Sequence, residues 1–447
     1  MKIRVRSNLK KPITGICRVP GDKSVSHRSL LFGALTSGGK TRVSGLGTGD
    51  DNRSTRQIME QLGATITDVS ADEVEIVGVG LHGLHSPTKP LDCGNSGTSM
   101  RLLAGLLSAQ PFDSIMVGDD SLSGRPMMRV CGPLRKMGAE LSGQPGKKAG
   151  EVYPPLHIQG GQKLTGFSYS SPIASAQVKS AVLIAGLYAE GRTEVMEPGP
   201  SRDHTERMLS YFGVDVAVNG RSASLAGGVK SLQARPLLVP GDPSSAAFVV
   251  AGALLAGDNV AIENVSTNQT RTGFLDVLSQ MGAGITLENE KREQVEPTAT
   301  IAVAGKKGVL RGTTVSGELV VRAIDELPIL AVVASAAEGI THFRDAAELR
   351  VKESDRIDSV VSMLRAFGVE VEERADGFSV QGKNREPLDA TTVDSHGDHR
   401  IAMSAVVAGL MANGETVVEN VSSIATSFPT FVDTFRLLGA DLELQQG

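Results

Sequence analysis

The sequence predicts an α/β protein of six repeated units, arranged as two halves of three. The first observation is a short phrase: an apolar residue, Gly, Ala or Val, any residue, then an aliphatic. It recurs around Gly63, Gly138, Gly213, Gly282, Gly368 and Gly439, so the copies span the 447-residue chain. The second is a set of small-residue apolar stretches sharing that period. The third is a pair of near-identical turns, Val19-Pro20-Gly21-Asp22-Lys23-Ser24 and Val239-Pro240-Gly241-Asp242-Pro243-Ser244, about half a chain apart. Self-similarity at a fixed period is the mark of a repeat architecture.

Each phrase reads as the end of a helix and the start of a strand. Ile58, Met59 and Leu62, or Val360, Val361, Leu364 and Phe367, have helical spacing before the Gly. The Gly is then a C′ residue in the left-handed conformation, and the aliphatics beyond it open a strand. The apolar stretches, at 29–35, 100–107, 178–188, 246–255, 328–336 and 401–411, read as a second helix in each unit. The two Val-Pro-Gly-Asp turns each precede one of these helices, with Ser24 and Ser244 as N-cap or first-turn residues. Taken as crossover points, they divide the chain into one domain of 1–20 plus 241–447 and another of 21–240. The hinges then lie near 20–22 and 239–242.

Hydrophobic content of 40% and charged content of 21% describe an ordinary globular chain. Its length exceeds what one core supports. No apolar run approaches the ~20 residues that span a bilayer. Residues 1–15 hold charges but no apolar signal core. The three cysteines, Cys17, Cys93 and Cys131, are distant and odd in number, which suits neither a disulfide framework nor a zinc site. A reduced cytoplasmic setting follows. Net charge −5, 4% aromatic residues and no Trp argue against a nucleic-acid partner.

Three motifs fail on context. Gly78-Val79-Gly80-Leu81-His82-Gly83 matches a dinucleotide fingerprint, but Leu84-His85-Ser86-Pro87 offers no helix to a pyrophosphate. Gly38-Gly39-Lys40-Thr41 resembles a P-loop end, yet Ala34 replaces the first Gly and a strand follows. His396-Gly397-Asp398-His399 lacks further ligands at metal spacing.

Other motifs gather charge and hydroxyls at helix starts, where free N–H groups and the helix dipole favour anions. Lys23, Ser24 and Arg28 surround one first turn. Gly94-Asn95-Ser96-Gly97-Thr98 and Arg101 form a small-residue helix start; Ser123-Gly124-Arg125-Pro126-Met127 sets Arg125 before a Pro that can begin a helix. Ser175-Ala176-Gln177 and Gly199-Pro200-Ser201-Arg202-Asp203 precede two more helices. In the second half stand Asp325-Glu326, the run Arg350 to Arg356, and Asp398-His399-Arg400. Such groups recur in at least five units, so the sequence predicts that they converge on one anion-binding cleft between the halves.

In these stretches the chain resembles the 5-enolpyruvylshikimate-3-phosphate synthase family along nearly its full length. The specific matches are Gly21-Asp22-Lys23-Ser24 with His27-Arg28, Gly94-Asn95 with Gly97-Thr98 and Arg101, Arg125-Pro126-Met127, Arg350 through Arg356, and Asp398-His399-Arg400. The resemblance implies a two-domain inverted α/β barrel, each domain of three βαββαβ repeats, that closes on its substrates. It implies transfer of the enolpyruvyl group of phosphoenolpyruvate to the 5-hydroxyl of shikimate 3-phosphate, with phosphate released and no metal or organic cofactor. Glu353 is then the acid at the methylene carbon and Asp325 the base at the hydroxyl, with Lys23 an alternative proton shuttle. Arg125, Arg356 and Arg400, with Lys23, Asn95, Gly97 and Gln177, hold phosphoenolpyruvate. Lys23, Ser24, Arg28, Ser175, Gln177, Arg202, Asp325 and Lys352 hold shikimate 3-phosphate. A monomer is the default expectation, and composition and hydropathy leave out nucleic-acid and membrane partners.

Two positions depart from many members. Thr426 replaces a Lys two residues before Phe428-Pro429, and Ser175-Ala176 replaces a serine pair. Both resemble the divergent bacterial (class II) branch that includes glyphosate-tolerant enzymes, whereas Gly97 stands where a tolerant member carries Ala. The sister family acting on UDP-N-acetylglucosamine carries a loop Cys before its Arg-Pro, and 119–124 holds none. A non-catalytic scaffold for phosphorylated metabolites would keep the arginines without needing Asp325 and Glu353.

Overall fold

A computed structural model describes residues 1–446 apart from 147–148, 293–294 and 306–307. The chain forms two compact units, Met1–Pro20 with Pro240–Gly447, and Gly21–Val239. All six glycine phrases end a helix. These helices are Asp50–Gln61, Met128–Lys136, His204–Tyr211, Gly273–Gln280, Arg356–Ala366 and Phe431–Leu437. The glycine after each has φ between +73° and +109°. Two hydrogen bonds close each end in the same way. In the first copy the Gly63 N–H donates to the Glu60 carbonyl at 3.1 Å and the Ala64 N–H to the Met59 carbonyl at 3.0 Å. In the last, Gly439 donates to Arg436 at 2.9 Å and Ala440 to Phe435 at 2.9 Å. This paired closure satisfies carbonyls that the helix end orphans, and it requires a left-handed residue where glycine stands.

The other helix of each unit is core. Lys23–Ala34, Gly97–Leu107 and Ala176–Gly186 belong to the Gly21–Val239 unit. Pro243–Ala256, Leu327–Ser335 and His399–Leu410 belong to the other, and every residue of these three is buried. A helix apolar on all sides is stable only inside. Close approach is explicit at Gly105, where an added Cβ would sit 2.2 Å from the Ala181 carbonyl oxygen.

Six four-stranded sheets, counted among the described residues, share one pattern of a parallel pair followed by two antiparallel pairs. Leu91–Asp92 lies parallel to Ser114–Val117, which pairs antiparallel with Val152–Gln159, itself antiparallel to Glu140–Pro145. Residues 2–17 complete two sheets of the unit that resumes at Pro240. Ile13–Cys17 runs parallel to Gly257–Ser266, and Lys2–Arg6 lies between Glu415–Glu419 and Leu442–Gln445. Leu237–Leu238 likewise pairs with Lys40–Ser44.

In the three repeats that are continuous in sequence the order is β-α-β-α-β-β, which corrects the expected βαββαβ. The glycine-capped helix follows the second strand; in five repeats the strand that leaves the Gly returns as an antiparallel hairpin, and in the sixth Leu442–Gln445 pairs with Lys2–Arg6. Gly78–Gly83 is loop, with no helix behind it. All three cysteines are free and buried, and burial drives their thiol pKa values up, Cys17 to about 12 and Cys131 to about 11. Among the described residues no helix is long and apolar enough to cross a membrane, and no His/Cys/Asp/Glu group could hold a metal.

Candidate active site

In the Gly21–Val239 unit, Asp22 caps the first core helix by accepting the Val25 N–H at 2.9 Å, which leaves Lys23 and Ser24 in its first turn. The Lys23 ammonium pairs with Asp51 Oδ2 at 3.0 Å. Arg28 is only 2% exposed and spans three elements. Its Nε donates to Thr205 Oγ1 at 2.6 Å, one terminal nitrogen to the Ser24 carbonyl at 2.9 Å, and the other to Ser180 Oγ at 2.7 Å. A buried guanidinium held this way is preorganised for an anion.

Ser96 caps the second core helix and brings Gly97 beside two arginines. A Cβ at Gly97 would lie 2.8 Å from an Arg101 nitrogen and 3.4 Å from one of Arg125, so glycine keeps room in front of both guanidinium groups. Arg125 donates to Asn95 Oδ1 at 2.7 Å and Ser121 Oγ at 3.0 Å. Arg101 donates to Gln177 Oε1 at 2.7 Å, and the Gln177 amide donates to Thr98 Oγ1 at 2.9 Å. Ser175 caps the third core helix, and Arg202 lies just before the helix His204–Tyr211.

In the other unit the charges form one network. Arg356, at 1% side-chain exposure, donates through Nε to Asp398 Oδ2 at 2.8 Å and through a terminal nitrogen to Glu353 Oε2. Asp325 stands 3.5 Å from both Lys352 and Arg356 and 3.8 Å from Arg400, whose other terminal nitrogen donates to the Asp325 carbonyl at 2.9 Å. Asp398 also caps the helix His399–Leu410 through the Arg400 N–H at 2.9 Å. Burial disfavours the Asp398 carboxylate, but the Arg356 guanidinium outweighs it and holds the pKa below the usual range. Burial likewise opposes the Arg356 charge, and Asp398 and Glu353 outweigh it.

The geometry sorts the charged motifs. Lys352 and Arg356 face Asp325 and Glu353 joins them through Arg356, while Arg350 turns away to Asp355 at 2.8 Å, Glu373 at 3.0 Å and the Arg374 carbonyl at 2.7 Å. Asp355 is a helix cap. The Asp325-Glu326 pair splits: Glu326, 1% exposed, accepts from Ser244 Oγ, and Arg271 ties Ser244 to Asp242. The Thr426 hydroxyl donates to the Ser423 carbonyl at 2.8 Å within its own turn. Pro126 precedes its helix, which begins at Met128. Asp51, Thr205 and Ser180 support the site and were not singled out from the sequence; Asp398 stood in a named motif, without its pairing to Arg356 being legible there. A carboxylate that positions an arginine from a distant stretch has no local signature.

The chain matches the family model described as EPSP synthase (3-phosphoshikimate 1-carboxyvinyltransferase) over residues 8–435. It is 51% identical over 424 residues to a 3-phosphoshikimate 1-carboxyvinyltransferase of Geobacter sp., covering 95% of this chain and 96% of that protein. A protein of the same name from Brevibacillus brevis is 48% identical over 430 residues, covering 96% and 98%. A solved EPSP synthase structure from Acinetobacter baumannii superposes with a TM-score of 0.88 at 46% identity, covering 100% of both chains.

Proposed function

The chain belongs to the EPSP synthase family, and from that premise we propose that it transfers the enolpyruvyl group of phosphoenolpyruvate to the 5-hydroxyl of shikimate 3-phosphate. Phosphate is the second product. The observation that carries the chemical assignment is the placement of Asp325 and Glu353 in one network with Lys352, Arg356 and Arg400. A scaffold that only bound anions would need the cations without these carboxylates.

The reaction adds the acceptor hydroxyl oxygen to C2 of phosphoenolpyruvate while a proton goes to C3. The tetrahedral intermediate then loses phosphate from C2 and a proton from C3. This needs an acid, a base and fixed anion clamps. In our reading Glu353 delivers and later removes the C3 proton, and Asp325 takes the hydroxyl proton. Lys23 is the second candidate for the proton shuttle. Arg125, Arg356 and Arg400 grip phosphoenolpyruvate, since guanidinium forks match carboxylate and phosphate; Asn95 and Gln177 hold the surrounding arginines. Ser24, Arg28, Ser175, Arg202 and Lys352 hold shikimate 3-phosphate. The enzyme works as a cytoplasmic monomer, with neither a nucleic-acid nor a membrane partner.

The test is phosphate release from phosphoenolpyruvate with three acceptor conditions: shikimate 3-phosphate, UDP-N-acetylglucosamine, and none. Release with shikimate 3-phosphate alone supports the assignment. Release with the nucleotide sugar instead, or with no acceptor, contradicts it.

A further inference from the structure

A buried ion trio holds Ser175, one of the expected acceptor contacts, and Ser201, the neighbour of another, Arg202. Glu197 follows the strand Arg192–Met196 and is 4% exposed. Its Oε1 accepts the Ser175 backbone N–H at 2.7 Å, and its Oε2 accepts the Ser201 hydroxyl at 2.6 Å. The same Oε2 lies 2.9 Å from the Lys179 ammonium, which also reaches Glu206 Oε1 at 2.8 Å. Lys179 is a lone charge inside the otherwise small and apolar helix Ala176–Gly186. Burial opposes its protonation, and Glu206 and Glu197 outweigh burial, so the ammonium form is the favoured one.

Ions removed from water in this way are seldom the most stabilising filling for a core, because well-packed apolar residues serve stability as well or better. Geometry gives them another task. One carboxylate fixes Ser175, whose hydroxyl caps the core helix, and Ser201, the neighbour of Arg202. The next residues along these helices, Ser180 and Thr205, hydrogen-bond each other at 2.6 Å and hold Arg28. We propose that Glu197, pinned by Lys179, is a positioning residue for the shikimate 3-phosphate subsite, setting the Ser175 and Arg202 loops together. This rests on the reaction assigned above.

The test is steady-state kinetics of Glu197→Gln, Ser201→Ala and the double variant, with thermal unfolding of each. Glu197→Gln keeps the side-chain shape but gives up an acceptor and the pairing with Lys179. It is expected to raise KM for shikimate 3-phosphate about tenfold, the scale of one charge-assisted hydrogen bond, leaving kcat and KM for phosphoenolpyruvate within about twofold. Ser201→Ala leaves the ion trio intact and is expected to raise the same KM about threefold. The double variant should be no worse than Glu197→Gln, because both changes break one link. If Glu197→Gln does not fold, Ser201→Ala decides. An unchanged KM for shikimate 3-phosphate, or equal rises in both KM values, overturns the inference. No turnover by the unsubstituted chain with shikimate 3-phosphate strikes the assigned reaction instead.

Discussion

Arg356 is the residue on which most of the second unit's site chemistry turns. It contacts Asp398 and Glu353 and lies 3.5 Å from Asp325, so its fork orients the carboxylates around it. Arg356→Lys keeps the charge but cannot form the bidentate contact to Asp398. We predict a loss of about 100-fold or more in kcat/KM for phosphoenolpyruvate. Stability should fall by roughly 3 kcal/mol, because buried carboxylates lose partners; kinetics and urea unfolding read the two effects. A second prediction concerns pH. His27 is fully buried, with Nδ1 2.7 Å from Thr55 Oγ1, and burial, then Lys23 and Arg28, hold its pKa well below 6.5. The unfolded chain therefore binds the extra proton first. Stability should be full above about pH 6.5 and fall as pH drops below it, by up to about 1.4 kcal/mol per pH unit from this group. The slope of unfolding free energy between pH 6.5 and 5 should be shallower in His27→Gln; an identical slope would refute the assignment. At this scale the sequence displayed the ligand-type residues but not their supports. Arg356 and Asp398 each stood in a conspicuous motif, but nothing local showed that the two pair across 42 positions.

At the scale of elements, two glycines do different work. Gly439 has φ +98° with open space where a Cβ would stand, so Gly439→Ala adds backbone strain alone and should cost about 1–2 kcal/mol. Gly105 lies inside a helix with ordinary dihedral freedom, but its Cβ would meet the Ala181 carbonyl at 2.2 Å. Gly105→Ala must push two core helices apart and should cost more, about 2–3 kcal/mol. Urea unfolding of the pair checks the ranking, and a reversed order would contradict the helix packing described. The helices were legible because both signals are local: a glycine closing an amphipathic turn, and a run of small apolar residues. The order of strands within a repeat was not, since hairpin and crossover strands carry similar aliphatic patterns and only pairing partners distinguish them. Pro126 misled for the same reason, as a proline allowed at a helix start is equally allowed just before one.

Across the whole molecule, the two units differ in how their chain is assembled. Gly21–Val239 holds its own core helices, and Leu237–Leu238 closes its sheet with Lys40–Ser44. That segment alone should unfold in one cooperative urea transition. A chain of 240–447 lacks both N-terminal strands, leaving Gly257–Ser266 without Ile13–Cys17 and parting Glu415–Glu419 from Leu442–Gln445. It should not fold cooperatively until residues 1–20 are supplied. The paired Val-Pro-Gly-Asp turns lie where the chain passes between the units, near Pro20 and Val239. The central claim remains chemical, that acid–base groups of this chain drive an acceptor-dependent addition and elimination. The most direct measurement is phosphate release from phosphoenolpyruvate with shikimate 3-phosphate by the unsubstituted chain, Glu353→Ala and Lys23→Ala. The account predicts release that requires the acceptor and falls at least about 100-fold in both variants, with folding intact by thermal unfolding. Release that persists in either folded variant would contradict it.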